Sequence, residues 1–197
     1  MAEPRPFDRL RRVPSNVEGR AASRQPPDAS RDIIIVIDPS TGFGTGHHAT
    51  TRLCLELLQR QAVRGTRVID VGTGSGVLAL AAWKLGASSV IALDNDPDAL
   101  RNARDNVGRN GAGNAIEIVH GDLSSASLEP ADIVLANLTG PVLRRHSSQL
   151  QRLVATGGVL IISGFGSEEL EDTARVFSAV PKEVLKEEEW GAVALEF

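Results

Sequence analysis

Val68-Ile69-Asp70-Val71-Gly72-Thr73-Gly74-Ser75-Gly76 is an apolar run carrying one carboxylate and ending in three glycines at alternate positions, and Val77-Leu78-Ala79-Leu80-Ala81-Ala82 follows it directly with helical character. A strand that turns abruptly into a helix is the unit from which parallel α/β sheets are wound. Glycine opens backbone conformations closed to other residues and lets a ligand approach the main chain, while the first turn of the helix offers N–H groups that have no partner within it. A tight strand-to-helix turn needs glycine for structural reasons alone, so the loop gains functional meaning only from its surroundings.

The next apolar run, Ser89 to Leu93, ends on Asp94, 22 residues beyond Gly72. A carboxylate at that point can accept hydrogen bonds from both hydroxyls of a ribose. Gly72, Gly74 and Gly76 with Asp94 and the adjacent Asn95 therefore predict a nucleoside site. Asp94-Asn95-Asp96-Pro97 also has the letters of a helix start; Asp96, directly before the proline, suits the cap, and Asp94, at the strand end, suits the ribose. A dinucleotide fingerprint begun at Gly72 requires Gly or Ala at position 77, and Val77 stands there, which disfavours a nicotinamide cofactor. The chain has no tyrosine, so a Tyr-Lys proton donor of the reductase type is missing too.

Outward from this unit the pattern alternates. Strands are expected at Arg67 to Val71, Ser89 to Leu93, Ala115 to Val119, Ile133 to Ala136 and Gly158 to Ile162, most of them continuous apolar runs of the kind covered on both faces. Helical patterns lie at about 50 to 62, 75 to 85, 97 to 110, 141 to 154 and 167 to 178. The stretch Val184 to Glu187 and Trp190 to Glu196 leaves no room for a crossover helix and predicts a closing antiparallel hairpin. The fold class is α/β: a Rossmann-like, seven-stranded, mostly parallel sheet with helices on both faces and a C-terminal antiparallel hairpin. Ile33 to Ile37, a β-branched run ended by Asp38-Pro39, is a further strand candidate.

With 197 residues and 42% hydrophobic content, the chain has the substance of one domain. Its apolar runs fall well short of the roughly 20 residues of a membrane span, and no signal-peptide pattern follows the N-terminus, so a cytoplasmic protein without membrane attachment is expected. The lone Cys54 fits a reducing compartment and excludes a cysteine-based zinc site within the chain; no metal is expected. Residues 1 to 31, rich in proline, read as a flexible tail, and 32 to 197 as the domain. The tail carries seven Arg against four acidic residues, a charge of +3, which leaves −7 on the remainder. An acidic body argues against direct nucleic-acid binding.

Two further stretches carry a resemblance. Asp38-Pro39-Ser40-Thr41-Gly42-Phe43-Gly44-Thr45-Gly46-His47-His48-Ala49-Thr50-Thr51 is similar to the Asp-Pro-Gly-x-x-Phe-Gly-Thr-Gly-x-His-x-Thr-Thr pattern of the PrmA family, which methylates ribosomal protein L11. Asp70 before the glycines resembles motif I of class I methyltransferases. The likeness continues through Leu53-Cys54-Leu55, Leu78-Ala79, Lys84-Leu85-Gly86-Ala87, Asp94, Asp96-Pro97, Asn106, Ala136-Asn137-Leu138-Thr139-Gly140-Pro141 and Glu188-Glu189-Trp190, covering residues 33 to 197. It implies S-adenosylmethionine as cofactor, touched by Thr51, Gly72, Asp94 and Asn137, with Thr45 and His48 at the mouth, Asp70 shaping the methionine end and Asp122 against the adenine. Helix capping would equally explain Thr50 and Thr51, and a plain Gly121-Asp122 turn would explain Asp122. Ser40 and Thr73 stand where the family has Gly and Cys. The Asn-Pro-Pro-Tyr motif of many amino-group methyltransferases is absent, and some thirty tail residues occupy the place of the family's substrate-recognition domain.

The expected function is S-adenosylmethionine-dependent N-methylation of a lysine or N-terminal amine on a protein, of which a ribosomal protein is the family's example, with Asn137 orienting the amine. A small-molecule amine as acceptor, and a non-catalytic protein that binds S-adenosylmethionine, are the alternatives; the composition leaves the oligomeric state open.

Overall fold

The computed structural model describes residues 33–38 and 46–197. The expected tail and Pro39 to Thr45, with the candidate Thr45, lie outside the described residues. Seven strands form one sheet: β1 (Arg67–Val71), β2 (Ser89–Asp94), β3 (Ile116–His120), β4 (Ala131–Asn137), β5 (Val154–Gly166), β6 (Val180–Glu187) and β7 (Trp190–Glu196). Their order is β3-β2-β1-β4-β5-β7-β6. β1 to β5 run parallel, and β7 inserts antiparallel between β5 and β6. This is the Rossmann-like class I methyltransferase fold.

Alternation sorts the side chains of the central strands into two layers. Val68, Val90, Ala92, Ile133, Leu135 and Ile161 join one core with helices α1 (Ala49–Gln59), α2 (Val77–Lys84) and, through Val107, α3 (Pro97–Arg109). Ile69, Val71, Ile91, Val134, Leu160 and Ile162 join the other with α4 (Gly140–Arg145), α5 (Ser147–Arg152) and α6 (Leu170–Arg175). Burial on both faces explains why these strands read as unbroken apolar runs. The chain winds outward from β1 to β3 and then returns to β4 on the other side of β1. A crevice opens at the carboxyl ends of the strands where the winding reverses.

Two expectations are corrected. Ile33 to Ile37 adds no strand: residues 33–38 join no ladder. Asn110 of α3's C-cap serves Val36 instead, its Oδ1 accepting from the Val36 N–H at 3.0 Å and its Nδ2 donating to the Val36 carbonyl at 2.7 Å. β-branched residues favour extended backbone, but extended backbone needs only satisfied polar groups, not a neighbouring strand. The single helix expected at 141 to 154 is two short ones, interrupted at His146, whose φ of −104° and ψ of 18° leave the helical region.

The β6–β7 hairpin closes over Glu188 and Glu189, and Glu188 takes φ 52°, alone among non-glycine residues described in having a positive φ. A side chain there costs roughly 1–2 kcal/mol, and asparagine tolerates the conformation better. Glu188→Asn is expected to stabilise the protein by roughly 1 kcal/mol, read as a shifted midpoint in denaturant unfolding; an unchanged or lower midpoint would refute the strain.

Candidate active site

A cleft of about 1150 Å³ occupies the crevice at the strand ends. Its walls come from the residue after each parallel strand: Gly72 to Gly74 after β1, Asp94 and Asn95 at β2, Gly121 and Asp122 after β3, Asn137 to Thr139 at β4 and Gly164 in β5. His48 and Thr51 of the α1 region and Trp190 of β7 close the other side.

The glycine loop is braced from beneath. Asp70 is 1% exposed, and its Oδ2 accepts from the Thr73 hydroxyl at 2.7 Å and from the Ala79 amide at 3.1 Å. It therefore fastens the strand to both the loop and the first turn of α2, rather than lining the cleft. Gly76 is likewise off the cleft wall; it caps α2 with φ 83°, against Ala103 of α3. Burial raises the Asp70 carboxyl from 3.8 to about 6, with a smaller push from the Asp94 charge, against the Thr73 and Ala79 hydrogen bonds, which lower it. Its Oδ1 has no hydrogen-bond partner.

Asp94 joins that brace from the cleft side. Its Oδ2 accepts from the Gly74 N–H at 2.9 Å and its Oδ1 from the Asp96 N–H at 3.0 Å, which fixes the carboxylate plane and leaves each oxygen a further lone pair. Asp96 caps α3 by accepting from the Asp98 N–H at 2.9 Å. Asp122, exposed at the far end, is held below the usual carboxylate range by the Ser124 hydroxyl and amide, with weaker help from His146 and Asn95.

The opposite wall is built from distant segments. Asn137 Nδ2 donates to Thr51 Oγ1 at 3.3 Å, joining β4 to α1. His48 is the N-cap of α1: its Nδ1 accepts from the Thr50 N–H, and its ring meets Trp190 edge-on, centroids 4.7 Å apart. Arg52 of α1 pairs with Glu187 of β6, so the same helix is tied to the hairpin. Among the described residues no three His, Cys, Asp or Glu side chains converge as a metal cage requires. Cys54 is fully buried, and burial pushes its thiol far up, which makes it inert.

Gly164 and Trp190 were not singled out for the site by sequence reasoning. Gly164 sits at a register shift in β5 with φ 98°, and a Cβ there would lie 2.4 Å from the Leu138 carbonyl oxygen and 2.9 Å from the Leu138 nitrogen. Only glycine lets the loop after Asn137 pack so closely on β5. A glycine inside an apolar run is the available signal, and it lay just past the expected strand.

A model of the family "Ribosomal protein L11 methyltransferase (PrmA)" matches residues 17–196. The ribosomal protein L11 methyltransferase of Heliobacterium modesticaldum is 41% identical over 167 residues, 82% of this chain and 52% of that protein. Its counterpart in Pelotomaculum thermopropionicum is 46% identical over 137 residues, 70% and 44% respectively. The chain thus spans about half the length of the curated relatives it matches. The crystal structure of ribosomal protein L11 methylase from Lactobacillus delbrueckii subsp. bulgaricus superposes with a TM-score of 0.72 at 30% identity, covering 76% of this chain and 79% of that one. An RNA methyltransferase from Salinibacter ruber, solved with S-adenosyl-L-homocysteine, shares the fold at a TM-score of 0.63 and 21% identity, covering 74% of this chain and 90% of that one.

Two outcomes are expected. Gly164→Ala forces the Leu138 backbone away and adds left-handed strain, costing roughly 2–4 kcal/mol in denaturant unfolding; a loss below 1 kcal/mol would mean the loop yields freely. For Asp70, a folded pKa above the unfolded one means the folded state holds the proton more tightly. Its stabilising contribution is full below about pH 4 and is lost as pH rises through about 6. Wild type should therefore lose up to roughly 3 kcal/mol more than Asp70→Asn between pH 4 and pH 7, and parallel stability curves would refute the shift.

Proposed function

Because the chain belongs to the PrmA family of ribosomal protein L11 methyltransferases, we propose that its cleft binds S-adenosylmethionine and transfers the methyl group to an amine of a ribosomal protein, a lysine side chain or an N-terminus. The observation that carries this reading is the juxtaposition of two fixed groups on one sheet edge. Asp94, with its plane set by two backbone amides, stands on the glycine-loop side, and Asn137, bonded to Thr51, stands across the cleft.

The residues suit such a cofactor. The cleft has room for a ligand of nucleoside size, the Asp94 oxygens keep lone pairs for ribose hydroxyls, and Gly72 is needed for the loop to pack on Leu138, where a Cβ would lie 2.5 Å from that side chain. On this reading Asn95 and Asp122 serve the adenine end, Thr51 and Asn137 the methyl end, and His48 the mouth. Asp70 and Gly76 serve by holding the loop. S-adenosylmethionine, when bound, supplies a methyl on a positively charged sulfur.

The chain's part is positioning. The acceptor amine, protonated in water with a pKa of about 10.4, must lose its proton before it attacks, and a dry site beside a positive charge favours the neutral form. Asn137 Nδ2 is engaged by Thr51, which leaves the amide oxygen to accept from the incoming amine and aim its lone pair. The proton released goes to water, and no dedicated base is required.

The cleft's charge favours a cationic acceptor. Asp38, Asp94, Asp96, Asp98, Asp105 and Asp122 line it against one arginine, Arg101, itself paired with Asp98. Such a field draws ammonium groups and repels phosphates, which argues against a nucleic-acid acceptor. A ribosomal substrate places the reaction in the cytoplasm; no helix among the described residues is long and apolar enough to cross a membrane.

Calorimetric titration with S-adenosylhomocysteine tests the cofactor half: wild type should bind, and Asp94→Ala should bind roughly 10–100-fold more weakly, as loss of hydrogen bonds to a charged group predicts. Radiolabelled methyl transfer to purified ribosomal protein L11 tests the acceptor half, with Asn137→Ala expected to lose far more of the label than of its affinity for S-adenosylhomocysteine. Label only in low-molecular-weight amines would redirect the acceptor to a metabolite, and binding without turnover on either would make the chain a sensor.

A further inference from the structure

Three asparagines, Asn102, Asn106 and Asn110, stand four residues apart along α3. Asparagine is a poor helix former because its amide competes for backbone hydrogen bonds. A row of them at one helical face requires partners worth that cost, and Asn106 and Asn110 find theirs in the glycine loop and in segment 33–38. Asn102 lines the cleft. Asn106, fully buried, donates from Nδ2 to the Asn102 Oδ1 at 3.3 Å and to the Ser75 carbonyl of the glycine loop at 2.9 Å, while its Oδ1 accepts from the Asp38 N–H at 2.9 Å. Asn110 takes both polar groups of Val36.

Among the described residues, no other main-chain anchor of this kind holds segment 33–38. Ile35 and Ile37 rest against the core, while Ile33, Ile34 and Val36 are exposed, and Arg109 reaches Asp38 at 2.8 Å. Asp38 is itself a wall of the cleft. One buried amide, that of Asn106, thus holds the glycine loop with its donor end and the cleft-lining segment with its acceptor end. The bond to Ser75 is buried and the bond to Asp38 is half-buried, so moving either partner leaves a polar atom of Asn106 to find a new one.

We propose that the Asn102–Asn106–Asn110 ladder couples docking of segment 33–38 to occupancy of the cleft, so that cofactor and segment each raise the other's equilibrium although Val36 is held on the helix, not on the ligand. Asn106 and Asn110 are positioning residues: Asn106 acts through Ser75 and Asp38, and Asn110 through Val36. The inference rests on the cofactor reading above and adds to it a regulated element, since whatever displaces the segment from α3 weakens cofactor binding by the same factor.

Reciprocity supplies the test. Backbone amide exchange at Val36 and Asp38 is followed in the full chain with and without saturating S-adenosylhomocysteine, and calorimetry compares wild type with Asn110→Ala. Asn110 is half-exposed at the helix end, so its loss should leave the unfolding midpoint nearly unchanged. Coupling predicts that the ligand slows exchange at Val36 and Asp38 about tenfold. It predicts that Asn110→Ala exchanges fast at both sites and binds the ligand weaker by a similar factor. A midpoint that does fall leaves the wild-type exchange result to decide alone. Wild-type binding with no change at Val36 and Asp38, or an Asn110→Ala variant that folds and binds as tightly as wild type, would overturn the ladder while leaving the cofactor reading intact. Silence of the wild type towards S-adenosylhomocysteine would overturn both.

Discussion

The Asp70 carboxylate, sealed between β1 and α2, is the constraint from which the cleft is built. A charge in that position is expensive, and it is tolerated because one oxygen ties together three parts of the turn: the strand that carries it, the Thr73 hydroxyl in the loop and the Ala79 amide in the helix. The loop thereby keeps its shape, with the Gly72 and Thr73 amides donating to the Leu93 carbonyl of β2. Gly74 can then donate to Asp94 on the neighbouring strand, and Asp94 in turn pins the Asp96 amide at the start of α3. A chain of hydrogen bonds runs from the core of the sheet to the third helix, and every link depends on the one beneath it.

The second wall has no such local origin. Helix α1 precedes the sheet in sequence, yet its residues meet β4 through Thr51 and Asn137, β6 through Arg52 and Glu187, and β7 through His48 and Trp190. The exposed Arg52–Glu187 pair contributes little energy by itself. Burial of Leu53, Cys54, Leu57 and Leu58 is what holds the helix down, and the polar contacts set its rotation.

This difference explains what could be read in advance. The strand at Arg67 to Val71, the glycine loop, Asp94 and the Asp96 cap lie within about thirty consecutive residues, and their chemistry is written in spacing; the observed β1 has the bounds expected of it. The closing hairpin was legible for the same reason. The 33–38 segment was not, because a β-branched run specifies extended backbone without saying what will satisfy it, and here asparagine side chains do so from 74 residues away. The break at His146 turned on backbone angles that no local pattern announced. Gly164 escaped notice because its partner, the Leu138 main chain, lies in the loop after β4, distant in sequence. Asn106 stood within the family likeness, but its role needed both Ser75 and Asp38 to be seen beside it.

The same asymmetry bears on substrate choice. A wall made of contiguous residues binds what every member of a fold class must bind, and small changes in it, such as Thr73, are absorbed because the Asp70 bond survives them. The wall opposite is assembled from α1, the β4 and β5 turns and the hairpin, whose relative placement is set by packing and by one obligatory glycine. Asp94, by contrast, is fixed by the Gly74 and Asp96 amides, which lie outside that wall. On the proposed reading the acceptor meets the wall set by long-range packing while Asp94 keeps its two local amides, so acceptor choice is the property most open to change.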